Sequence, residues 1–197
     1  GGMIVTNNVE AAKRMSVMRS HGIDREVWDR YTSDKPSWQY SVVDAGFKYN
    51  MPDIAASIGR EQLKKAAMFL NNRTEIANFY FRELGDLDFL RLPDQQDNHA
   101  WHLFMPRIIP EKLNLTRDEF INNLISQGIG ISVHYIPLHI MPYYQNKYGY
   151  KPQDFPETLK AYNSVFSLPI YPGLTDEQLE RIVSGVINTG LSFRRTT

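Results

Sequence analysis

The sequence predicts an α/β protein, and its best-defined part begins near residue 99. First, apolar and polar residues alternate over residues 99–109, as they do in a half-buried strand. Second, residues 129–133 repeat that alternation after an intervening helical pattern. Third, residues 116–119 and 175–178 both have the capping-box sequence that starts a helix. Strand, helix, strand and helix in this order indicate a small α/β layer over residues 99–197.

The stretch before this layer begins with one predicted strand and one predicted helix. Residues 3–6 form a short apolar run that is typical of a buried strand. Asn7 or Asn8 is suited to cap the next helix, which we expect to run to about Arg19 before a His-Gly pair ends it. Residues 23–45 have little periodicity but several large aromatic side chains, which favours a functional loop or lid.

A longer helical segment follows, and the sequence predicts it in two pieces. It spans Asp53 to about Leu84, with Asn71 and Asn72 marking the break. Gly59 in the first piece would cost about 1 kcal/mol relative to alanine in an exposed helix, so we expect another backbone to pack closely against it. That backbone belongs either to a second subunit or to this chain.

The polar residues 94–98 are typical of a linker and place a domain boundary between residues 98 and 99. Residues 1–98 then contain a strand with no sheet to join. Either this strand pairs with later strands, or its sheet lies in sequence outside this stretch. The alternative is a complete small protein that follows a Gly-Gly cloning scar.

The apolar positions after residue 99 predict which faces are buried. In the strand over residues 99–109, one face should carry four alternating residues, namely His99, Trp101, Leu103 and Met105. The opposite face should carry His102 and Phe104. The helix after residue 116 should bury Phe120, Ile121, Leu124 and Ile125 and end at Gly128. The last helix should bury Leu179, Ile182, Val183, Val186 and Ile187.

Composition argues against several classes of function. The 22 Lys and Arg residues balance the 22 Asp and Glu residues, so no overall field favours nucleic acid or an anionic membrane. No apolar segment is long enough to span a bilayer, and no signal peptide is visible. The chain has no cysteine, which rules out disulfides and thiolate chemistry and fits a cytoplasmic protein.

The most informative motif lies at residues 46–53, directly before the long helical segment. A glycine, the cation Lys48 and the amide Asn50 precede a helix start that is marked by Pro52 and Asp53. The free N–H groups and the dipole of such a helix end favour an anion, and the two side chains could add charge and hydrogen-bond donors. The alternative is that Lys48 is solvated and that Asn50 simply caps the helix.

A second candidate site lies at residues 134–139, where a predicted strand ends and a proline-containing loop begins. Binding groups often occupy this position in α/β proteins. The alternative is that His134 is a satisfied half-buried residue and that His139 belongs to the loop surface. A metal site is not expected, since His99 and His102 would face opposite sides of one strand.

Several segments, taken in order, resemble the DegT-type sugar-nucleotide aminotransferases, which use pyridoxal phosphate on the fold-type-I scaffold. They are GGMIVTN (1–7), RSHG (19–22), GFKYNMPDI (46–54), ASIGREQL (56–63), HAWHLF (99–104), GIGISVHY (128–135), PLH (137–139), SLPIYP (167–172) and LTD (174–176). The KYNMPD wording at residues 48–53 and the loop with Asp29 and Arg30 are most similar to the branch that makes UDP-4-amino-4-deoxy-L-arabinose. The resemblance implies the C-terminal part of such an enzyme. Residues 1–98 would be the tail of the large cofactor domain, and residues 99–197 would be the small α/β domain.

The resemblance also implies roles for single residues. The lysine that holds the cofactor covalently would lie before Gly1, so no catalytic residue is assigned in this chain. Asn50 would donate to the cofactor phosphate of a neighbouring subunit and Lys48 would add charge, whereas many relatives have Asn and Arg at these two positions. The residues implied to line the sugar-nucleotide site or its entrance are His134, Tyr135, His139, His21 and Trp38.

The implied reaction moves an amino group in two halves. An amino acid, usually glutamate, gives its amine to pyridoxal phosphate, and the amine then passes to a keto-sugar nucleotide that is UDP- or dTDP-linked. The implied enzyme is a cytoplasmic homodimer with a shared active site that serves polysaccharide or lipopolysaccharide synthesis. It would bind no metal, no nucleic acid and no membrane.

Two alternatives stay open. The missing lysine and the small residues at 55–59 would also suit a noncatalytic dimerisation or interaction domain. A relative that dehydrates its sugar, with histidine in place of the lysine, would have the same pattern over these residues. In each case we expect the isolated chain to have no transaminase activity.

Overall fold

The computed structural model describes residues 2–24 and 40–195, which fall into two compact units. The first unit is Gly1–Lys65 and the second is Ala66–Thr197. This division follows Lys65, whereas the sequence placed a domain boundary after residue 98. The difference arises because the helix that starts at Ala66 buries its apolar face in the core of the second unit.

The first helix, α1, is Val9–Met18. The Asn8 side chain caps it by accepting a hydrogen bond from the Ala11 N–H at 3.0 Å. After the helix, His21 and Gly22 have φ angles of 63° and 70°, and this left-handed pair turns the chain away. The structure therefore confirms the predicted helix and both of its end signals.

The predicted buried strand at residues 3–6 does not form among the described residues. Met3, Ile4 and Val5 are 81%, 75% and 85% exposed, and none of the described residues pairs with them as a strand. A strand needs a neighbour for its backbone N–H and C=O groups. The described part of the first unit supplies no such neighbour at this position.

The long helical segment does consist of two pieces, but the break is earlier than predicted. α2 is Asp53–Leu63 and α3 is Ala66–Leu84, so Asn71 and Asn72 lie inside α3. Asparagine disfavours a helix by only about 0.7 kcal/mol, and tertiary packing overrides a preference of that size. α3 obtains this packing from four buried residues, Ile76, Ala77, Tyr80 and Leu84.

The other elements of the second unit are short, apart from its last helix. Two strands, β1 (Leu90–Arg91) and β2 (Arg107–Ile108), form an antiparallel pair. The helices are α4 (Arg117–Ser126), α5 (Pro142–Tyr148), α6 (Pro156–Tyr162) and α7 (Asp176–Ser192). Short 3₁₀ turns lie at Pro110–Lys112, Leu138–Ile140 and Pro152–Asp154. Helices around a small sheet confirm the predicted α/β class.

The two longer strands predicted in this unit are mostly replaced by isolated bridges. Within residues 99–109 only β2 is a regular strand, and residues 129–133 contain a bridge at Ser132. Residues 165–168 bridge to Phe104 in the first stretch and to Ser132 in the second. Both stretches thus belong to one irregular antiparallel layer, whose pairing partner lies far away in the sequence.

The predicted alternation over residues 99–109 has the wrong phase. Trp101 and Phe104 are both buried, although the prediction placed them on opposite faces, and Met105 is exposed. Trp101 has a φ of 45°, in the left-handed region. The chain turns at Trp101. The alternation of buried and exposed side chains therefore starts again only after this residue.

The helices α4 and α7 form as the sequence predicts. Each starts with a complete capping box, at Thr116 and at Thr175, and Gly128 after α4 has a φ of 77°. The buried face of α7 is the predicted one, although Ile187 is only partly buried. Ile125 is 51% exposed and does not belong to the buried face of α4, because it lies at the edge of the stripe that packs against α7.

Candidate functional site

The predicted phosphate-binding segment, residues 46–50, runs beside the end of α1 and is held there by backbone hydrogen bonds. The Phe47 N–H donates to the Met18 carbonyl at 2.7 Å. In the opposite direction, the His21 N–H donates to the Phe47 carbonyl at 2.9 Å. The position of the segment is therefore set by the turn that ends α1.

Gly22 and Gly46 allow the two pieces of chain to approach this closely. A Cβ on Gly46 would lie 2.0 Å from the Gly22 nitrogen, and a Cβ on Gly22 would lie 1.9 Å from the Asp44 carbonyl oxygen. A side chain at either position would push the backbones apart. The Asp44 carboxylate accepts the Ala45 N–H and pairs with Arg14, and these two interactions hold its pKa below the usual value.

Lys48 and Asn50 lie on one side of this extended segment, because successive side chains alternate. On the other side, Phe47 and Tyr49 stack with ring centroids 4.9 Å apart and line an apolar groove of about 1030 Å³ that also contains Met3. The Lys48 and Asn50 side chains are exposed, and neither forms a hydrogen bond or an ion pair with a described residue. An ammonium group and an amide are therefore available together.

The alternative role of Asn50 as a helix cap is wrong. Pro52 is the N-cap residue of α2, and no side chain makes a capping hydrogen bond there. Asn50 thus keeps its amide donors for another group. Together with the charge of Lys48, they suit a phosphate, whose oxygen atoms only accept hydrogen bonds when it is fully ionised.

His21 lies at the same junction as this segment. It is exposed, and its backbone N–H binds Phe47 beside Lys48. The first unit therefore brings together His21, Lys48 and Asn50. Trp38, the other residue predicted for the entrance, lies outside the described residues.

In the second unit, His134 is held by a buried hydroxyl group. The ring is half-buried, and its Nδ1 lies 2.8 Å from the Oγ of Ser167. Tyr135 is 75% exposed, and its ring lies 4.8 Å from the His134 ring at an angle of 89°. The peptide bond between His134 and Tyr135 is cis. The Nε2 of His134 has no partner among the described residues, so it is available to a ligand.

His139 does not belong to the loop surface, and that alternative is wrong. Its side chain is 6% exposed and packs against Phe155, with the ring centroids 4.9 Å apart. Its Nε2 is buried without a hydrogen-bond partner in the described structure. The buried ring thus packs against Phe155, and its role in substrate binding stays a prediction.

Sequence reasoning did not identify Ser167 as the partner of His134. One signal was present, because a hydroxyl group in the apolar run 165–170 has to find a hydrogen-bond partner when it is buried. The identity of that partner depends on the bridge between Ser132 and Ser167, which joins distant parts of the chain.

Within residues 2–24 and 40–195, no three histidine or carboxylate side chains lie close enough together to hold a metal ion. No helix there combines the length and the apolar character that crossing a bilayer requires.

The chain matches the DegT/DnrJ/EryC1/StrS aminotransferase family over residues 1–187. It is 45% identical over 188 residues to an uncharacterized protein, MJ1066, of Methanocaldococcus jannaschii. It is 39% identical over 189 residues to the spore coat polysaccharide biosynthesis protein SpsC of Bacillus subtilis. Each alignment covers 94% of this chain and 48% of the relative, so the chain spans about half the length of these curated relatives.

Solved structures agree with this match. PseC of Helicobacter pylori, an aminotransferase involved in the biosynthesis of pseudoaminic acid, has a TM-score of 0.77 at 26% identity, covering 95% of this chain and 48% of PseC. NtdA of Bacillus subtilis, solved with bound cofactor PMP, has a TM-score of 0.75 at 27% identity, covering 94% and 41%. The structure thus has the fold of about half of a fold-type-I aminotransferase. From its sequence and its fold, this chain belongs to the DegT/DnrJ/EryC1/StrS aminotransferase family.

Proposed function

We propose that this chain is part of an aminotransferase that moves an amino group from an amino acid, expected to be glutamate, to a keto-sugar nucleotide. The family match over residues 1–187 carries this proposal. The names of SpsC and PseC, which refer to spore coat polysaccharide and pseudoaminic acid, support a role in surface polysaccharide or glycan synthesis. The proposed setting is the cytoplasm.

The cofactor is pyridoxal phosphate, in line with the family and with the PMP form of NtdA. When bound, it supplies the electron sink and carries the amino group. The residues of this chain bind and orient it. Lys48 and Asn50 would hold its phosphate, because they offer a charge and N–H donors on a segment that backbone hydrogen bonds fix in place. The covalent lysine is assigned to none of these residues.

His134 and Tyr135 are proposed to bind the sugar nucleotide. With Nδ1 occupied by Ser167, the His134 ring would present Nε2 to a sugar hydroxyl or a phosphate oxygen. The exposed Tyr135 ring would stack on the sugar or the base. His139 would act indirectly through its packing against Phe155, while His21 and Trp38 are proposed for the entrance.

The proposed assembly is a homodimer with a shared active site. In this arrangement Lys48 and Asn50 of one subunit would reach the cofactor of the other. Their exposure without partners in the described chain supports this arrangement, since both groups are available to a second subunit.

The test is the absorption spectrum of the whole protein during a titration with pyridoxal phosphate. We expect a band of protein-bound cofactor that changes when glutamate is added. The variant with Lys48→Gln and Asn50→Ala should bind the cofactor about ten- to hundredfold more weakly, because hydrogen bonds to a charged group are lost.

The matched control is Lys13→Gln, which removes an exposed lysine of the same unit that pairs with Glu10. This variant should bind the cofactor like the wild type. Absence of any cofactor band, or a band that glutamate leaves unchanged, would contradict the proposed activity. Unaltered affinity in the Lys48 and Asn50 variant would contradict the assignment of these two residues.

A further inference from the structure

Arg91 and Arg107 face each other directly across the two-stranded sheet. Their Cα atoms are partners in the antiparallel register, as are those of Leu90 and Ile108. Leu90 and Ile108 are buried. The arginines come one position away in each strand, so they lie together on the opposite, exposed face.

This arrangement places two positive charges side by side without a counterion. Like charges directly opposite each other in a sheet are unfavourable. Within the described part of the chain, neither the Arg91 nor the Arg107 guanidinium forms an ion pair or a hydrogen bond. Other arginines of the same unit do have acidic partners, and these pairs are Arg82–Glu83, Arg117–Asp118 and Arg194–Asp88.

A cavity of about 450 Å³ lies on this exposed face, which is within the usual range for small-molecule sites. Its polar lining consists of Arg91, Arg107, Asp94, Gln96, His99 and His102. Asp94 is the acidic residue in the lining, and it pairs with neither arginine. The cavity therefore has an excess of positive charge.

His99 adds a hydrogen-bond donor to this lining. Its Nδ1 accepts the Trp101 N–H at 2.9 Å. In a neutral ring the hydrogen must then be on Nε2, which becomes a donor. Two guanidinium groups and an imidazole N–H form a set that suits an oxyanion.

Hydrogen bonds from Arg73 fix the part of the cavity wall that Trp101 and His102 form. The Nη1 of Arg73 donates to the carbonyls of Trp101, His102 and Ile170 at 3.0, 3.2 and 2.9 Å. Trp101 itself is only 4% exposed. A wall that is already ordered reduces the entropy that a ligand loses on binding.

We propose that this cavity binds the phosphate group of a small molecule, with Arg91 and Arg107 as its charge partners. An ionised phosphate monoester carries up to two negative charges and only acceptors, so one group neutralises both arginines. A single carboxylate would neutralise only one of them. The inference goes beyond the aminotransferase proposal and is independent of the group that the whole protein transfers.

The experiment is a calorimetric titration of the whole protein, first saturated with pyridoxal phosphate so that the cofactor's own phosphate site is filled. Inorganic phosphate is the probe, and acetate, which has a single carboxylate, is the comparison at constant ionic strength. We expect saturable phosphate binding that is about tenfold or more weaker in the variant with Arg91→Gln and Arg107→Gln. Arg82→Gln, which removes a paired arginine from the same unit, should bind phosphate like the wild type.

A second measurement separates loss of binding from loss of folding. Without phosphate, the double variant should melt at the same temperature as the wild type or higher, because facing like charges have been removed. Added phosphate should raise the melting temperature of the wild type but not that of the double variant. Asp94→Asn should bind phosphate more tightly. Undiminished phosphate binding in the double variant, or binding of acetate by the wild type as tight as that of phosphate, would overturn the proposal.

Discussion

Ser167 sets the direction of the His134 ring. Its Oγ lies 2.8 Å from Nδ1, and its own backbone N–H donates to the Ser132 carbonyl at 2.8 Å. The hydroxyl group is therefore attached to a fixed strand bridge rather than to a free loop. We expect it to position His134 without touching the substrate itself.

We predict that Ser167→Ala raises the KM of the whole enzyme for its sugar nucleotide about two- to tenfold, with a smaller change in kcat. The reason is the loss of one hydrogen bond of about 1 kcal/mol that orients the ring. Steady-state kinetics measure this split. Ser167→Thr keeps the hydroxyl and should recover the wild-type KM. If Ser167→Thr raises the KM as much as Ser167→Ala does, the positioning role of the hydroxyl is wrong.

At the scale of single elements, α4 depends on its capping box. Thr116 Oγ1 accepts the Glu119 N–H, and a Glu119 carboxylate oxygen accepts the Thr116 N–H at 2.7 Å. This backbone hydrogen bond, followed by the one from the Thr116 hydroxyl, lowers the pKa of Glu119 below its ordinary value of 4.5. A carboxyl with a lowered pKa in the folded state stabilises fully above pH 4.5, and this contribution is lost as the pH falls through the folded pKa.

We predict that Thr116→Ala destabilises the protein by about 1 kcal/mol, because one N-cap hydrogen bond is lost. In a protein of this size that lowers the melting temperature by about 2–4 °C, which circular dichroism can follow. Thr116→Ser keeps the cap and should melt close to the wild type. The Thr116 hydroxyl helps to lower the pKa of Glu119. The difference in melting temperature between Thr116→Ala and the wild type should therefore become smaller at acidic pH. A larger difference at acidic pH would contradict this explanation.

The strands contrast with the helices at this scale. The capping boxes at Thr116 and Thr175 act within four residues, so their sequence is sufficient to locate the helix starts. The strand alternation after residue 99 fails at Trp101, whose left-handed φ is stabilised by burial and by the carbonyl contact of Arg73. Neither interaction is visible in a local pattern.

At the scale of the whole molecule, α2 has an apolar face without a partner in the described chain. Ile54 and Ile58 are 78% and 60% exposed, and no residue of the helix is buried. A Cβ on Gly59 would meet nothing within 4 Å, so the backbone predicted to pack there is not in the described part of this chain. The other candidate, a second subunit, fits the proposed homodimer.

We predict that Gly59→Leu weakens self-association of the whole protein, because the larger side chain would hold the partner's backbone away. Its effect on α2 itself should be favourable by about 1 kcal/mol, since leucine is a better helix former than glycine. Sedimentation velocity over a concentration series measures the association. Arg60→Leu places the same side chain on the side of the helix away from Ile54 and Ile58 and should leave the dimer unchanged. A dimer of wild-type affinity in Gly59→Leu would exclude Gly59 from the interface.

Sequence alone determined the starts of α1, α2, α4 and α7, the turn at Gly22, the candidate phosphate segment with Lys48 and Asn50, and the family. These features depend on residue types at short spacings, or on an ordered set of such motifs along the chain. The sequence showed that Gly46 is part of the motif. It did not show that Gly46 lies against the backbone of Gly22.

Tertiary structure alone decided that Ser167 holds His134, that Arg91 faces Arg107, and that Trp101 shares the core with Phe104. Each of these relations depends on packing or on backbone pairing, and the first two join residues that are far apart in the sequence. The energy of a bridge or a buried contact depends on which partner is available, and no local pattern specifies that partner.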